Sequence, residues 1–449
     1  MNDTIAAIST TTGVGAISII RISGPDAIEI TNKIFKEKDL TKVESHTIHY
    51  GHIEYKNKIE DEVLVSIMKA PKTFTTEDVV EINCHGSIIV TKRILEILLI
   101  LGCRLAEPGE FTKRAFLNGR IDLIEAEGVM DLINSTSEAE KKLALNQIDG
   151  KVSNLIKNLR QKILEILAQI EVKIDYPEYE DIEEVTYNDL DNNINDVEQE
   201  IKRIIKESES GKIIKEGIKT AIIGRPNVGK SSLLNNLLQE EKAIVTNIAG
   251  TTRDTVEGTI TIEGIKLDLI DTAGIRKTSD IVESIGVNKS LETIDKADLI
   301  LLVLNNNEKL TDYDKELIEK IKNKKHIIII NKIDLEKKIE KIEDNNVIKI
   351  SALNNSGIEE LKNKIIEMYD LEKIKSKDAT YLTNARGLSL LKQSEDIIKD
   401  IKKGIKTEQP IDMIEIDLKK IWEKLGEITG ETYQEELINQ LFSQFCLGK

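Results

Sequence analysis

The chain has 449 residues, too many for one compact core, so two to four domains are expected. Its 40% hydrophobic and 32% charged residues give a soluble, globular balance leaning toward helices rich in Lys, Glu, Ile and Leu, with no run of ~18 uncharged apolar residues to span a membrane. The net charge of −16 argues against unspecific nucleic-acid binding by the whole surface.

Three cysteines (Cys84, Cys103, Cys446) cannot make a disulfide framework, and no CxxC pair points to zinc. The start, MNDTIAAIST, lacks the basic residues and apolar stretch of a signal peptide, so the expected compartment is cytoplasmic. Charge is spread unevenly. Residues 1–120 hold 15 basic and 16 acidic side chains, whereas 176–210 hold 12 acidic and 3 basic, the pattern of a solvated helix face with a loop.

Taken in chain order, residues 4–24 (with AISIIRISG), 47–55, 62–70 and 78–83 read as strands, and 25–36 and 87–102 as helices. This is a small α/β domain over 1–119. From 120 to 212 the pattern turns helical, as in KVSNLIKNLRQKILEILAQIEVKI with apolar residues three and four apart. Asp175–Tyr187, acidic and carrying Pro177, reads as a loop. Between 213 and 375 strands and helices alternate: IKTAIIG, a helix after Lys230, KLDLIDTAG, DLILLVLN, HIIIINKID and VIKISAL. That βαβ rhythm predicts a doubly wound, mostly parallel sheet with ligands at the strand C-terminal ends. Residues 376–449 are helical again, with the single Trp422. The doubly wound domain over 213–375 is therefore expected to be inserted into a split helical domain.

Gly224-Arg-Pro-Asn-Val-Gly229-Lys230-Ser231 fits the P-loop pattern, directly after an apolar strand and before a helix. Its glycines let N–H groups turn onto a β-phosphate, Lys230 neutralises β/γ charge, Ser231 ligands Mg²⁺ and the helix N-terminus adds its dipole. Asp271-Thr-Ala-Gly274 ends a later strand: Asp271 holds Mg²⁺ through water and the Gly274 N–H reaches the γ-phosphate. Asn331-Lys332-Ile-Asp334 selects guanine, because the Asp334 carboxylate accepts from N1 and N2, which adenine cannot offer. Ser351-Ala352-Leu353 completes the base loop, and Thr252 in Gly250-Thr251-Thr252-Arg253-Asp254 completes the Mg²⁺ shell. These five motifs, in the chain order that such a site requires, define a GTPase.

One position departs from Ras-type enzymes. Ile275 stands where a Gln would orient the attacking water, so that polar group must come from elsewhere. Asn227 offers a carbonyl oxygen to a monovalent cation, and Arg225 and Arg276 are alternative charge sources or ordinary surface residues.

Three groups in the flanks stand out: Arg21 in IIRISG; Thr76-Glu77-Asp78-Val79-Val80-Glu81-Ile82-Asn83-Cys84-His85-Gly86; and the run Pro108 to Leu123, PGEFTKRAFLNGRIDL. Phe445-Cys446-Leu447-Gly448-Lys449 reads by itself as a fraying tail with an inert thiol. Together with GRPNVGKSSLLN, IAGTTRD, DTAGIR and NKID, these segments make the chain resemble, from end to end, the MnmE (TrmE) family of tRNA-modifying GTPases.

The resemblance implies an N-terminal α/β domain of the folate-binding type that mediates dimerisation, a split helical domain and an inserted G domain. It places a tetrahydrofolate derivative (the 5,10-methylene or 5-formyl form) on Arg21, Glu81, Arg120 and Lys449. Relatives often show Lys at the position of Arg120, and His85-Gly86-Ser87 replaces a commoner His-Gly-Gly. GTP falls on Asn227, Val228, Gly229, Lys230, Ser231 and Ser232, then on Thr246, Asn247, Ile248, Ala249, Gly250, Thr251 and Thr252. It falls further on Asp271, Thr272, Ala273 and Gly274, and on Asn331, Lys332, Asp334, Ser351, Ala352 and Leu353.

Potassium falls on Asn227, Thr246, Ile248 and Thr251, and activates hydrolysis as two G domains meet across a homodimer. Glu283 takes the water-orienting role that Ile275 cannot, and Cys446 aligns with a cysteine used in the modification. The implied activity adds an aminomethyl-type group to C5 of the wobble uridine of certain tRNAs, with a flavin-dependent partner in a heterotetramer and no membrane. Two other classes compete: a ribosome-assembly GTPase binding rRNA, and a folate-dependent one-carbon transferase regulated by GTP. Against the first stand the lack of a second G domain and of a basic C-terminal segment with a GxxG clamp.

Overall fold

Buried and open positions alternate along Ile17–Ser23 and Val79–His85, whereas Leu299–Asn305 and His326–Asn331 are buried throughout. Two kinds of sheet follow from that difference. The computed structural model describes residues 3–11, 13–175, 187–240, 256–262, 265–270, 293–369, 382–433 and 435–448.

The chain begins with β1 (Ile5–Ile8), β2 (Ile17–Ser23), α1 (Ala27–Asn32), β3 (Thr47–Tyr55), β4 (Lys58–Met68), β5 (Val79–His85), α2 (Ile88–Ile100), β6 (Arg104–Leu105), α3 (Glu110–Leu117) and α4 (Leu123–Asn134). Helices α5 (Glu138–Ile148), α6 (Lys151–Asp175) and α7 (Tyr187–Glu216) follow. Then come β7 (Ile218–Ile223), α8 (Lys230–Glu240), β8 (Val256–Ile262), β9 (Ile265–Ile270), β10 (Leu299–Asn305), α9 (Asp312–Ile321), β11 (His326–Asn331), β12 (Val347–Lys349) and α10 (Ile358–Met368). The described chain closes with α11 (Ala385–Lys406), α12 (Ile411–Thr429) and α13 (Glu435–Phe442). Of the expected acidic loop Asp175–Tyr187, residues 176–186 lie outside the described residues, while Asp175 ends α6 and Tyr187 opens α7.

Two compact units emerge. The first joins residues 1–130, 147–190 and 401–449; the second joins 131–146 and 191–400. In the first, the strand order is β3-β4-β5-β2-β1-β6, antiparallel except for β1 beside β6. Lys56 and Asn57, both at positive φ, make the tight turn between β3 and β4. One face packs Ile20, Ile22, Val65, Ile67, Val80 and Ile82 against Ile94, Ile97 and Leu98 of α2. The other face leaves Ile17, Ile48, Tyr50 and Leu64 exposed.

Helix α6 buries Val152, Ile156, Leu159, Ile163, Ile166 and Ile170, a stripe at three- and four-residue spacing, and packs along α12. There the Arg160 guanidinium lies 3.8 Å from the Trp422 ring centroid. The expected helix over 25–36 is only α1, because the chain leaves it at Lys33 to bridge Phe35 to Ile53.

In the second unit the order is β12-β11-β10-β7-β9-β8, parallel except for the edge hairpin β8–β9. One face is covered by Leu233 and Leu237 of α8 with Leu361 and Ile365 of α10, the other by Leu317 and Ile321 of α9. Strand order reverses between β7 and β10, which places the ligand crevice at their C-terminal ends.

Candidate functional sites for a nucleotide and a second ligand

The P-loop leaves β7 at Gly224, whose φ is 139°; a Cβ there would come within 2.3 Å of the Val303 carbonyl oxygen on β10, so only glycine fits. Gly229, at φ 102°, likewise leaves room for Asn331, whose Nδ2 a Cβ would meet at 2.1 Å. Lys230 opens α8 and donates from Nζ to the Gly224 and Arg225 carbonyl oxygens at 2.6 and 2.7 Å. Burial pushes its ammonium down to about 8. Ser231 and Ser232 are exposed in the first turn, and Asn227 is exposed at φ 63°.

At the C-terminal end of β11, Asn331 Nδ2 donates to the Val228 carbonyl (2.9 Å), and its Oδ1 accepts from the N–H groups of Lys332 (2.8 Å) and Ala352 (3.0 Å). Lys332 reaches across to the Asn227 carbonyl at 2.8 Å. The Ser351 hydroxyl donates to Asp334 Oδ1 at 2.5 Å, and the side chain of Leu353 is 84% exposed beside them. Phosphate-side and base-side residues from separate crossovers therefore converge on one crevice. Thr246, Asn247, Ile248, Ala249, Gly250, Thr251, Thr252, Asp271, Thr272, Ala273, Gly274, Ile275, Arg276 and Glu283 lie outside the described residues.

Arg225 is a committed side chain. It pairs with the buried Asp314, which also forms the capping box of α9 with Thr311, at 2.9 Å, and with Glu308 at 2.9 Å. A guanidinium so held anchors the P-loop to α9; it is not free to move onto a phosphate.

The first unit carries another cluster. Arg21 and Glu81 face each other across β2 and β5, with Nε to Oε1 at 2.9 Å. The Arg21 guanidinium lies 5.7 Å from the Phe111 ring centroid and 5.9 Å from that of Phe74, while Arg120 stands 5.0 Å from the same Phe74 ring. Arg120 and Phe74, with His46, Lys72 and Asn118, line an open cavity of about 530 Å³.

Behind it, Arg114, only 1% exposed, binds Asp3 (2.8 Å), Glu77 (3.1 Å) and Glu110 (3.1 Å), and Arg104 forks onto Glu110. Burial alone would raise the Glu110 carboxyl, but Arg104 and Arg114 hold it below the usual carboxylate range.

The C-terminal segment is docked where the sequence alone reads a fraying end. Phe445 is buried against Phe442 with ring centroids 4.9 Å apart, the Cys446 carbonyl accepts from the Gly109 N–H (3.2 Å), and the Gly448 carbonyl from the Ser9 hydroxyl (3.1 Å). Cys446 itself is exposed. Burial lifts the thiols of Cys84 and Cys103 to about 11 and about 12, which leaves both unreactive at neutral pH. Lys449 lies outside the described residues.

Phe74, Phe111 and the Asp3–Arg104–Glu110–Arg114 network escaped the sequence reading. The scarcity of aromatic residues, 4% of the chain, was the one available signal for the two rings.

The family model described as GTP-binding protein TrmE N-terminus matches residues 4–120, and that of the MnmE helical domain matches 123–446. The tRNA modification GTPase MnmE of Bacillus cytotoxicus is 55% identical, covering 100% of this chain and 99% of that protein. The protein of the same description from Ligilactobacillus salivarius is 54% identical, covering 100% and 98%. Among solved structures, Era in complex with MgGDPNP and nucleotides 1506–1542 of 16S ribosomal RNA is 31% identical over 34% of this chain and 56% of its own, with a TM-score of 0.25.

Proposed function

This chain belongs to the MnmE family of tRNA modification GTPases, and on that footing we propose that it acts in the cytoplasm as a homodimer with a flavin-dependent partner. The pair would form a heterotetramer that places an aminomethyl-type group on C5 of the wobble uridine (position 34) of certain tRNAs. The chain is a GTP hydrolase. GTP hydrolysis opens and closes the G domains in this reading and is not itself the modification chemistry.

The division of labour follows four segments: 1–119 for dimerisation and folate, 120–212 and 376–449 as the helical domain, and 213–375 as the G domain. Lys230 neutralises phosphate charge, and Ser231 and Thr252 hold Mg²⁺. Asn227, Thr246, Ile248 and Thr251 hold potassium; the exposed Asn227 at left-handed φ suits a ligand whose amide oxygen faces the crevice. Glu283 orients the attacking water.

The observation that carries the reading is the second cluster. Two guanidiniums, one carboxylate and the Phe74 ring beside a cavity of about 530 Å³ are the donor set that a flat heteroaromatic ring with an anionic glutamate tail requires. A tetrahydrofolate derivative held there by Arg21, Glu81, Arg120 and Lys449 supplies a one-carbon unit when bound. The docked tail ties the Cys446 carbonyl to the Gly109 N–H at the start of α3. Ile17, Ile48, Tyr50 and Leu64 share the open sheet face with Arg21 and Glu81, a patch suited to a second copy.

Nucleoside mass spectrometry of total tRNA is the test, comparing cells with the gene, without it, and with a Cys446→Ser copy. Loss of C5-aminomethyl-type uridines on deletion, unrestored by the Ser copy, is the expected result. An unchanged profile on deletion overturns the modification reading and leaves the GTPase standing.

A further inference from the structure

Ala352 stands in the base loop with the peptide units on both sides of it held by side chains. Its N–H donates to Asn331 Oδ1 at 3.0 Å, and its carbonyl accepts from Asn236 Nδ2 at 2.6 Å. The two asparagines come from different parts of the crevice: Asn331 ends β11, whereas Asn236 lies on α8, six residues beyond Lys230. Helix α8 thus begins at the phosphates and reaches the base loop within two turns.

Two features set Asn236 apart from a helix residue of convenience. Asparagine is a weak helix former, and its neighbours Leu233, Leu234 and Leu237 are all core. Ala352 is itself 7% exposed, so its carbonyl needs this donor. A guanine in the crevice presents O6 as an acceptor. The Ala352 N–H can serve it only by giving up Asn331 Oδ1; its own peptide unit is then steadied by the Ser356 N–H on the Ser351 carbonyl at 3.1 Å, and the next unit by Asn236, so that the N–H is held from both sides.

We propose that Asn236 is a positioning residue for nucleotide recognition: by tying the phosphate-binding helix to the base loop, it aims the Ala352 N–H at guanine O6 and sets how long the nucleotide stays bound. It acts through Ala352 and not by touching the base. Asp334 reads N1 and N2, so the two residues report on different atoms of the same base.

The experiment compares dissociation of GDP and of the fluorescent 2-aminopurine riboside diphosphate, which lacks O6 and the N1–H but keeps the N2 amine, from the full chain and its Asn236→Ala, Asn236→Asp and Asn236→Gln variants. One lost hydrogen bond should speed GDP release about tenfold in the Ala and Asp variants. Gln, which keeps the donor, should recover part of it, and release of the 2-aminopurine nucleotide should change less than about twofold. A role confined to satisfying a buried carbonyl would weaken both nucleotides by the same factor. That result, or unchanged GDP release in a folded Asp variant (isosteric with Asn, so the fold is least disturbed), overturns the proposal.

Discussion

The two sheets of this chain have six described strands each and expose their chemistry in opposite ways. In the second unit β10 and β11 are buried on both faces, so no side chain in their interior is available to a ligand; recognition is pushed to the strand ends, where Gly224, Asn331 and Ser351 sit. In the first unit only one face is packed, and the other carries Arg21 and Glu81 in mid-strand beside Ile17, Ile48, Tyr50 and Leu64. A parallel sheet wound on both sides makes its site from loops, while an antiparallel sheet covered on one side makes it from the sheet itself.

The sharpest way to break this comparison is at a strand end. Asp334→Asn replaces one of the two carboxylate oxygens that accept from guanine N1 and N2 by an N–H donor while leaving the sheet intact, and kcat/KM for GTP should fall by about 10⁴-fold, with xanthosine triphosphate becoming the better substrate. Hydrolysis assays with both nucleotides read this directly; undiminished GTP turnover would remove base reading from the end of β11.

The matching change in the antiparallel sheet lies behind its face. Arg114→Met leaves Glu77, Glu110 and Asp3 facing each other with one cation gone, and should cost about 3–5 kcal/mol in the first unit. Hydrogen exchange of the β2 and β5 amides should accelerate accordingly, with β10 and β11 unchanged. Equal protection in both proteins would show that the network is incidental.

The smallest effect is a pH slope. The Lys230 amine is lowered to about 8 in the nucleotide-free chain, and a phosphate beside it raises it again. Below pH 8 the lysine is charged with or without nucleotide, so affinity is flat. Above pH 8 binding must take up a proton, so affinity falls as pH rises, by up to about tenfold per pH unit. Titration of GDP binding between pH 7 and 8.8 checks this; a flat profile would mean that Lys230 is already charged in the free crevice.

Much of the nucleotide site was legible because its signals are local. A P-loop is eight consecutive residues between an apolar run and a helix, and NKID follows five buried isoleucine and histidine positions that can only be an interior strand. The heptad-like stripe of α6 was equally plain. The proposed second site was suggested only by resemblance. Arg21, Glu81 and Arg120 are far apart in sequence, and nothing in the spacing of Phe74 and Phe111 indicates that both rings meet Arg21.

The sequence by itself determined the elements: which runs are strands, which are helices, and that a guanine nucleotide binds between them, since periodicity, turn chemistry and motif spacing act over a few residues. Tertiary structure alone decided the pairings across long separations. Ser9 meets Gly448 across 439 residues, Arg225 is spent on Asp314, and Asn236 reaches Ala352. Each is a single polar contact whose partner is chosen by how the surrounding apolar faces pack, and local patterning carries no record of that choice.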